Sequence, residues 1–134
     1  MALKKNVRLL VVDDTEKYSE VIQEWAESSP PEYNLTFEFA DSEEKAIEVI
    51  NRWDPSVVLM DAHMPSINTF EVLERYLAGA VPVIVTSGSK SKTIEDSARE
   101  KGAVGYFAKS ENPDELEYLL HSIGSVSIEF ATKH

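Results

Sequence analysis

SVVLMD at residues 56–61 and VPVIVTSG at residues 81–88 are short, almost wholly apolar runs that break off into acid, hydroxyl and glycine. A strand with one face in water alternates apolar and polar residues, whereas a strand covered on both faces reads as a continuous apolar run. These two stretches therefore read as interior strands of a parallel sheet. Working outward, residues 7–12 (VRLLVV), 35–39 (LTFEF) and 104–107 (VGYF) extend the series to five strands. LTFEF alternates strictly, which suits an edge position.

The segments between the runs have helical period. Tyr18, Val21, Ile22 and Trp25 fall at three-and-four spacing, as do Ala46, Ile47, Ile50 and Trp53, and then Phe70, Leu73 and Leu77. Both tryptophans lie on these stripes and read as packing residues. Residues 91–101 are helical by position, on a thin stripe of Ile94 and Ala98. The last helix announces itself most clearly: Asn112, Pro113 and Glu115 supply a cap, a first-turn proline and a first-turn acid ahead of Leu116, Leu119, Leu120 and Ile123. Parallel strands need crossovers, and crossover helices cover both faces. The expectation is α/β: a single doubly wound five-stranded parallel sheet, strand order 2-1-3-4-5, with helices on both faces. Residues 1–123 form the domain on this reading. Residues 124–134 form an extension or linker stub that leaves the helix at Gly124 and sets Val126, Ile128 and Phe130 on one side of a short strand.

The chain has 134 residues, about the size of one domain. Its 43% apolar and 28% charged residues exclude a disordered or collagen-like chain. With no cysteine, thiolate catalysis, disulfides and sulfur-ligated zinc are all excluded. The 24 acidic and 13 basic residues leave a net charge of −11 with no basic stripe, which argues against direct nucleic-acid binding. No apolar run approaches the ~20 residues of a membrane-spanning helix. A cytoplasmic protein without membrane contact is expected.

Open parallel sheets bind ligands beyond the carboxyl ends of their strands. Strand 1 ends in Asp13 and Asp14, strand 3 in Asp61, strand 4 in Thr86 and Ser87, and strand 5 leads to Lys109. Singly, each has an ordinary reading: Asp13 with Glu16 matches a helix capping box, Asp61 a turn residue, Lys109 a surface charge. Together they bring three carboxylates to one rim. Such a group repels itself unless a cation sits among it, and magnesium, which takes oxygen ligands and keeps several waters, fits best. One carboxylate then becomes a usable nucleophile toward a phosphoryl group, with Lys109 and a hydroxyl to stabilise the spread charge.

The acidic pair in LLVVDD, the context VVLMDAHMP, the pair SG at Ser87 and Gly88 and the stretch GYFAK together resemble a response-regulator receiver domain of two-component signalling, over about residues 7–123. The resemblance implies a phosphoacceptor switch rather than an enzyme acting on a separate substrate. It implies Asp61 as the phosphorylated residue. It implies magnesium held by Asp13, Asp14, Asp61 and the backbone carbonyl of His63, and phosphoryl stabilisation by Ser87 and Lys109. Ser87, five residues after Pro82, takes the switch-hydroxyl position in preference to Thr86, and Tyr106 the switch-aromatic position. His63 and Ser89 flank the site where the family tunes dephosphorylation. The implied partners are a sensor histidine kinase or histidine phosphotransfer protein, and a downstream protein on the face of helix 4, strand 5 and helix 5.

Three departures stand out: Ser110 where the family usually has proline, Thr69 where glycine is common, and a span from Asp61 to Ser87 a residue or two short. Other functions fit less well. A pseudo-receiver that keeps the fold without the chemistry is the main alternative, and the intact Asp13, Asp14, Asp61, Ser87 and Lys109 argue against it. A haloacid-dehalogenase-type hydrolase wants Asp-x-Asp, but His63 stands two after Asp61 and Thr15 two after Asp13. A flavodoxin-like flavin binder wants a Ser/Thr/Gly-rich loop after strand 1, which the sequence lacks.

Overall fold

The computed structural model describes residues 5–65 and 68–133. Strands and helices alternate: β1 Asn6–Val12, α1 Lys17–Ser28, β2 Asn34–Ala40, α2 Glu43–Trp53, β3 Val57–Asp61, α3 Thr69–Val72, β4 Val83–Ser87, α4 Lys92–Glu100, β5 Gly105–Ala108 and α5 Pro113–Lys133. All strand pairings are parallel, in the order β2-β1-β3-β4-β5. The expected topology is the observed one.

Alternation along the interior strands sorts their side chains into two layers. Leu10, Val12, Val58, Met60, Val83 and Val85 meet Ala46 and Val49 of α2, Val72 of α3 and Ala98 of α4 on one face. Val7, Leu9, Val11, Val57, Leu59 and Ile84 meet Tyr18 and Ile22 of α1 and Leu116, Leu119 and Ile123 of α5 on the other. The thin stripe of α4 suffices because Ala98 is fully buried and Ile94 packs beside it. In β2 the residues 35, 37 and 39 turn toward the α1/α5 layer while the strand stays half exposed, as its alternation requires.

Local chemistry sets the helix starts. Ser42, Asn68 and Ser91 each accept a hydrogen bond from the backbone N–H three residues on, at Lys45, Glu71 and Ile94. The pattern of Asp13 and Glu16 does not become a capping box: Glu16 itself precedes the first turn of α1, without a side-chain cap. After α3 the chain continues as a π-helical turn, Leu73–Leu77, in which the Ala78 N–H reaches the Leu73 carbonyl at 2.8 Å. This wider turn keeps both Leu73 and Leu77 in the core.

The tail corrects the sequence reading. Helix α5 does not stop at Gly124 and residues 126–130 form no strand; the helix runs on to Lys133. Glycine stands there to admit another group, since a Cβ on Gly124 would lie 2.5 Å from Tyr33 Cε1. The Tyr33 hydroxyl donates to the Leu120 carbonyl of the same helix. The buried stripe then continues through Ile123, Gly124 and Ser127 at helical spacing. Residues 124–133 thus belong to the domain's last helix. Met1, the three residues after it and His134 lie outside the described residues.

Candidate functional site

Strand register brings the chemistry to one rim. Val12 pairs with Met60, Asp61 with Thr86 and Ser87 with Ala108, so β1, β3, β4 and β5 end side by side at the carboxyl edge of the sheet. Asp13 and Asp14 follow β1 directly, Asp61 closes β3, Ser87 closes β4 and Lys109 follows β5. Every residue assigned to the site from sequence is therefore at or beside this edge, His63 and Ser89 in the loops after β3 and β4 and Tyr106 within β5.

The carboxylates of Asp13, Asp14 and Asp61 converge, each offering an oxygen within 4.8 Å of the others. Asp13 and Asp61 are buried and Asp14 is exposed. The Lys109 ammonium bridges the two buried acids, with Nζ 2.6 Å from Asp13 Oδ2 and 3.3 Å from Asp61 Oδ2. Its backbone is set by the Lys109 N–H donating to the Ser87 carbonyl at 2.7 Å. Desolvation acts to lower the ammonium's pKa. The hydrogen bond to Asp13 and the charges of Asp61 and Asp13 outweigh that and raise it, so Lys109 stays a cation. Asp14 ionises above the usual carboxylate range, chiefly through its hydrogen bond with the Asp13 carboxyl and then through burial and the charges of Asp13 and Asp61.

Backbone groups aim the acids. The His63 N–H donates to Asp61 Oδ1 at 3.1 Å, and the Thr15 N–H to Asp13 Oδ1 at 3.3 Å. That leaves Oδ2 of each to face the ammonium. Thr69, the residue in place of a usual glycine, is buried and donates its hydroxyl to the Asp61 backbone carbonyl at 2.6 Å, which ties the start of α3 to the end of β3. The His63 ring is exposed.

Ser87 is buried, and its hydroxyl is engaged by groups other than Asp61. Its hydroxyl donates to the Ser89 carbonyl at 2.6 Å and contacts the Tyr106 hydroxyl. Because the single Ser87 proton goes to Ser89, the bond between the two hydroxyls takes the Tyr106 proton. The Tyr106 oxygen in turn accepts the Ser91 N–H at 3.0 Å, at the residue that caps α4. Thr86 is as buried as Ser87, yet alternation along β4 sends it to the opposite face, away from Tyr106. The peptide bond before Ser110 is trans, as are all described ones.

Two contributors escaped the sequence reading. Thr69 was visible as a departure but carried no signal of a bond to Asp61. Tyr18 looked like a stripe residue only, yet Lys109 Nζ lies 5.6 Å from the centre of its ring.

The donor set suits a hard divalent cation. It is all oxygen, it carries three carboxylates against one ammonium, and exposed Asp14 leaves the rim open to water. A doubly wound parallel domain with an acidic cluster and a lysine at its carboxyl edge has the build of a phosphoryl-accepting signalling module. The chain belongs to the response regulator receiver domain family of two-component systems, whose family model matches residues 9–121.

The relatives agree. The chain is 28% identical over 125 residues to the nitrate/nitrite response regulator protein NarL of Escherichia coli K12, covering 90% of this chain and 56% of that protein. It is 26% identical over 117 residues to the transcriptional regulatory protein DegU of Brevibacillus brevis, covering 84% and 48%. It thus spans about half the length of these relatives. Among solved structures, the response regulator domain of Thermotoga maritima CheB superposes with a TM-score of 0.75 at 26% identity, covering 92% of this chain and 97% of that one. A CheY-like receiver domain protein from Methanospirillum hungatei JF-1 gives 0.74 at 24% identity, covering 99% and 100%, a likeness of fold. Among the described residues no helix is long and apolar enough to cross a membrane.

Proposed function

We propose that the chain is a magnesium-dependent phosphoacceptor switch, phosphorylated on Asp61 by a sensor histidine kinase or histidine phosphotransfer protein and dephosphorylated slowly by water. The observation that carries this reading is the convergence of Asp13, Asp14 and Asp61 within 4.8 Å under the Lys109 ammonium. Asp13, Asp14, Asp61 and the His63 carbonyl would hold the ion. Bound magnesium supplies positive charge that offsets the repulsion between the acids and an incoming phosphoryl group.

In the transfer step an Asp61 carboxylate oxygen bonds to phosphorus while the bond from phosphorus to the donor histidine nitrogen breaks, the electron pair leaving with the imidazole. The step needs positioning and charge stabilisation more than proton transfer. Asp61 Oδ1 is engaged by the His63 N–H, so the attacking oxygen would be Oδ2, which pairs with the Lys109 ammonium until the phosphoryl group arrives. The Lys109 ammonium moves from pairing with that oxygen to pairing with the phosphoryl group attached to it. Ser87 supplies a hydroxyl to a second phosphoryl oxygen, and Tyr106 responds. His63 and Ser89 flank the attacking water's approach and set how long the phosphoryl group lasts.

Output runs through the face of α4, β5 and α5, where Val104 and Tyr118 are 45% and 63% exposed, to a downstream protein rather than to nucleic acid. The setting is cytoplasmic.

Intact mass after incubation with acetyl phosphate, in magnesium or in EDTA, tests the reading on the parent chain and on Asp61→Asn. One added phosphoryl group that needs both magnesium and Asp61 is the expected result. No adduct and no magnesium binding would instead make the domain a pseudo-receiver that binds partners without phosphorylation.

A further inference from the structure

Among the described residues Lys109 has three charged or π-rich neighbours, and on the phosphoacceptor reading two of them are given away during turnover. Asp13 is committed to the cation, and Asp61 becomes an acyl phosphate. The third, Tyr18, changes in neither way. Its ring centre lies 5.6 Å from Nζ, within the ~6 Å at which a cation is attracted to an aromatic face. Tyr18 sits in the first turn of α1, 8% exposed, in the core layer with Ile22, Leu116 and Leu119.

Its hydroxyl does not complicate the contact. Burial, helped by the negative charges of Glu115 and Asp13, pushes its ionisation up to about 12 against a smaller opposing pull from the Ser110 backbone. The ring therefore faces the ammonium as a neutral π surface. The same side chain lines one cleft with Lys109 and Ser110, the residue next to the lysine, and the Lys109 N–H is held by the Ser87 carbonyl. Tyr18 thus lies beside both the head of the lysine and the loop that carries it.

We infer that Tyr18 is the positioning residue for Lys109, holding the ammonium over the acidic rim by its aromatic face while leaving the N–H donors free for a phosphoryl oxygen. This rests on Asp61 being the phosphoacceptor. A carboxylate partner competes for those N–H groups, whereas a ring attracts the charge without taking up a donor in a strong hydrogen bond. The lysine side chain has many rotamers, and the ring limits them at the stage when the acids no longer do.

The test compares Tyr18→Phe, which keeps the ring, with Tyr18→Leu and the more adaptable Tyr18→Met, which do not. Labelling by acetyl phosphate in saturating magnesium is expected to slow about fivefold in both ringless variants and to stay within about twofold in Tyr18→Phe. A second readout needs no phosphorylation. In the parent and in Tyr18→Phe the Lys109 ε-methylene resonance, assigned by its loss in Lys109→Met, should be shifted upfield by the ring, and in the ringless variants it should return to the ordinary lysine position. A folded ringless variant that labels at the parent rate overturns the inference. So does equal slowing in Tyr18→Phe, which would move the effect to the hydroxyl, or an unshifted methylene in the parent. If the parent takes up no phosphoryl group, the resonance alone decides whether Tyr18 positions the lysine, and the phosphoacceptor reading itself fails where magnesium binding is absent too.

Discussion

Lys109→Met keeps a long side chain and removes the cation that bridges the acidic cluster. Its two contacts, 2.6 Å to Asp13 and 3.3 Å to Asp61, are well inside ion-pair range. At such distances the pair of attractions is worth ~3 kcal/mol even at the dielectric constant of water, and more in a partly dry site. Desolvation offsets part of that, because burying an ammonium has its own cost and the Lys109 side chain is still 24% exposed. Left without it, Asp13 and Asp61 are buried charges with no counter-ion, and we expect the variant to lose ~2 kcal/mol of stability when no divalent ion is added. For a domain of this size that is a fall in Tm of about 8 °C. Magnesium should then act differently on the two proteins. In the parent the ion competes with Lys109 for the same carboxylate oxygens, while in the variant it relieves a repulsion that nothing else relieves. An affinity gain of about tenfold, or ~1.4 kcal/mol, is expected for the variant. Urea unfolding across a magnesium titration measures both quantities at once, with the stability gap narrowing as the ion is added. Labelling by acetyl phosphate should nonetheless fall about a hundredfold, since the phosphoryl oxygens lose their cation. Equal magnesium affinities in the two proteins would refute the competition argument, and equal stabilities without the ion would show that the bridge carries no weight.

Gly124→Ala should destabilise the protein even though alanine favours helices by about 1 kcal/mol, because the Cβ meets the Tyr33 ring and such overpacking costs ~1–3 kcal/mol. In a Tyr33→Leu background the same substitution should stabilise, and urea melts of the four proteins give the sign in each. Magnesium binding should weaken as pH falls through the raised pKa of Asp14, above the ordinary carboxylate range, because the ion needs the ionised form. A carboxyl that ionises later in the folded chain than in the unfolded one also subtracts stability as it ionises, so without the ion stability should rise as pH falls across that window; calorimetric titration of magnesium against pH checks the first and pH-dependent melts the second.

What the sequence reveals depends on whether a residue's surroundings repeat. Continuous apolar runs imply a covered strand anywhere, so β3 and β4, the helix stripes and the strand order were all legible before any coordinates. The acids and Lys109 were legible for a related reason: the topology places whatever follows each strand at one edge. Gly124 shows the opposite case. A glycine at the end of an apolar stripe signals a helix stop in most chains, and only the Tyr33 ring, ninety-one residues earlier, makes it a helix interior. Tyr18 and Thr69 are alike in this. Both sit at positions where core packing is a sufficient account of the residue type, and their second roles exist only in three dimensions, through Lys109 and the Asp61 carbonyl. Asp13 was ambiguous between helix cap and site, and the absence of a side-chain cap at the start of α1 removes the first of these readings.

The hydroxyls above the site set a constraint on how phosphorylation is read out. Ser87 has one proton, and the Ser89 carbonyl has it at 2.6 Å. Donating to a phosphoryl oxygen on Asp61 means withdrawing that proton from Ser89, so the loop between β4 and α4 must change its hydrogen bonding whenever Ser87 serves the phosphoryl group. Tyr106 then loses its acceptor at Ser87 but has another at hand, the Ser89 carbonyl 3.2 Å from its own oxygen, and it keeps the Ser91 N–H. The exchange conserves hydrogen bonds: Ser89 trades a serine donor for a tyrosine one, and the phosphoryl oxygen gains the serine. Because no bond is left unmade, the rearrangement is cheap, and a phosphoryl group of charge about −2 on Asp61, the proposed acceptor, would be ample to drive it. The change is also directional, since Ser91 caps α4 and Tyr106 lies in β5. Because the Tyr106 oxygen holds the Ser91 N–H, a ring drawn toward Ser89 would act on the start of α4 as well as on β5, two of the three elements of the proposed output face.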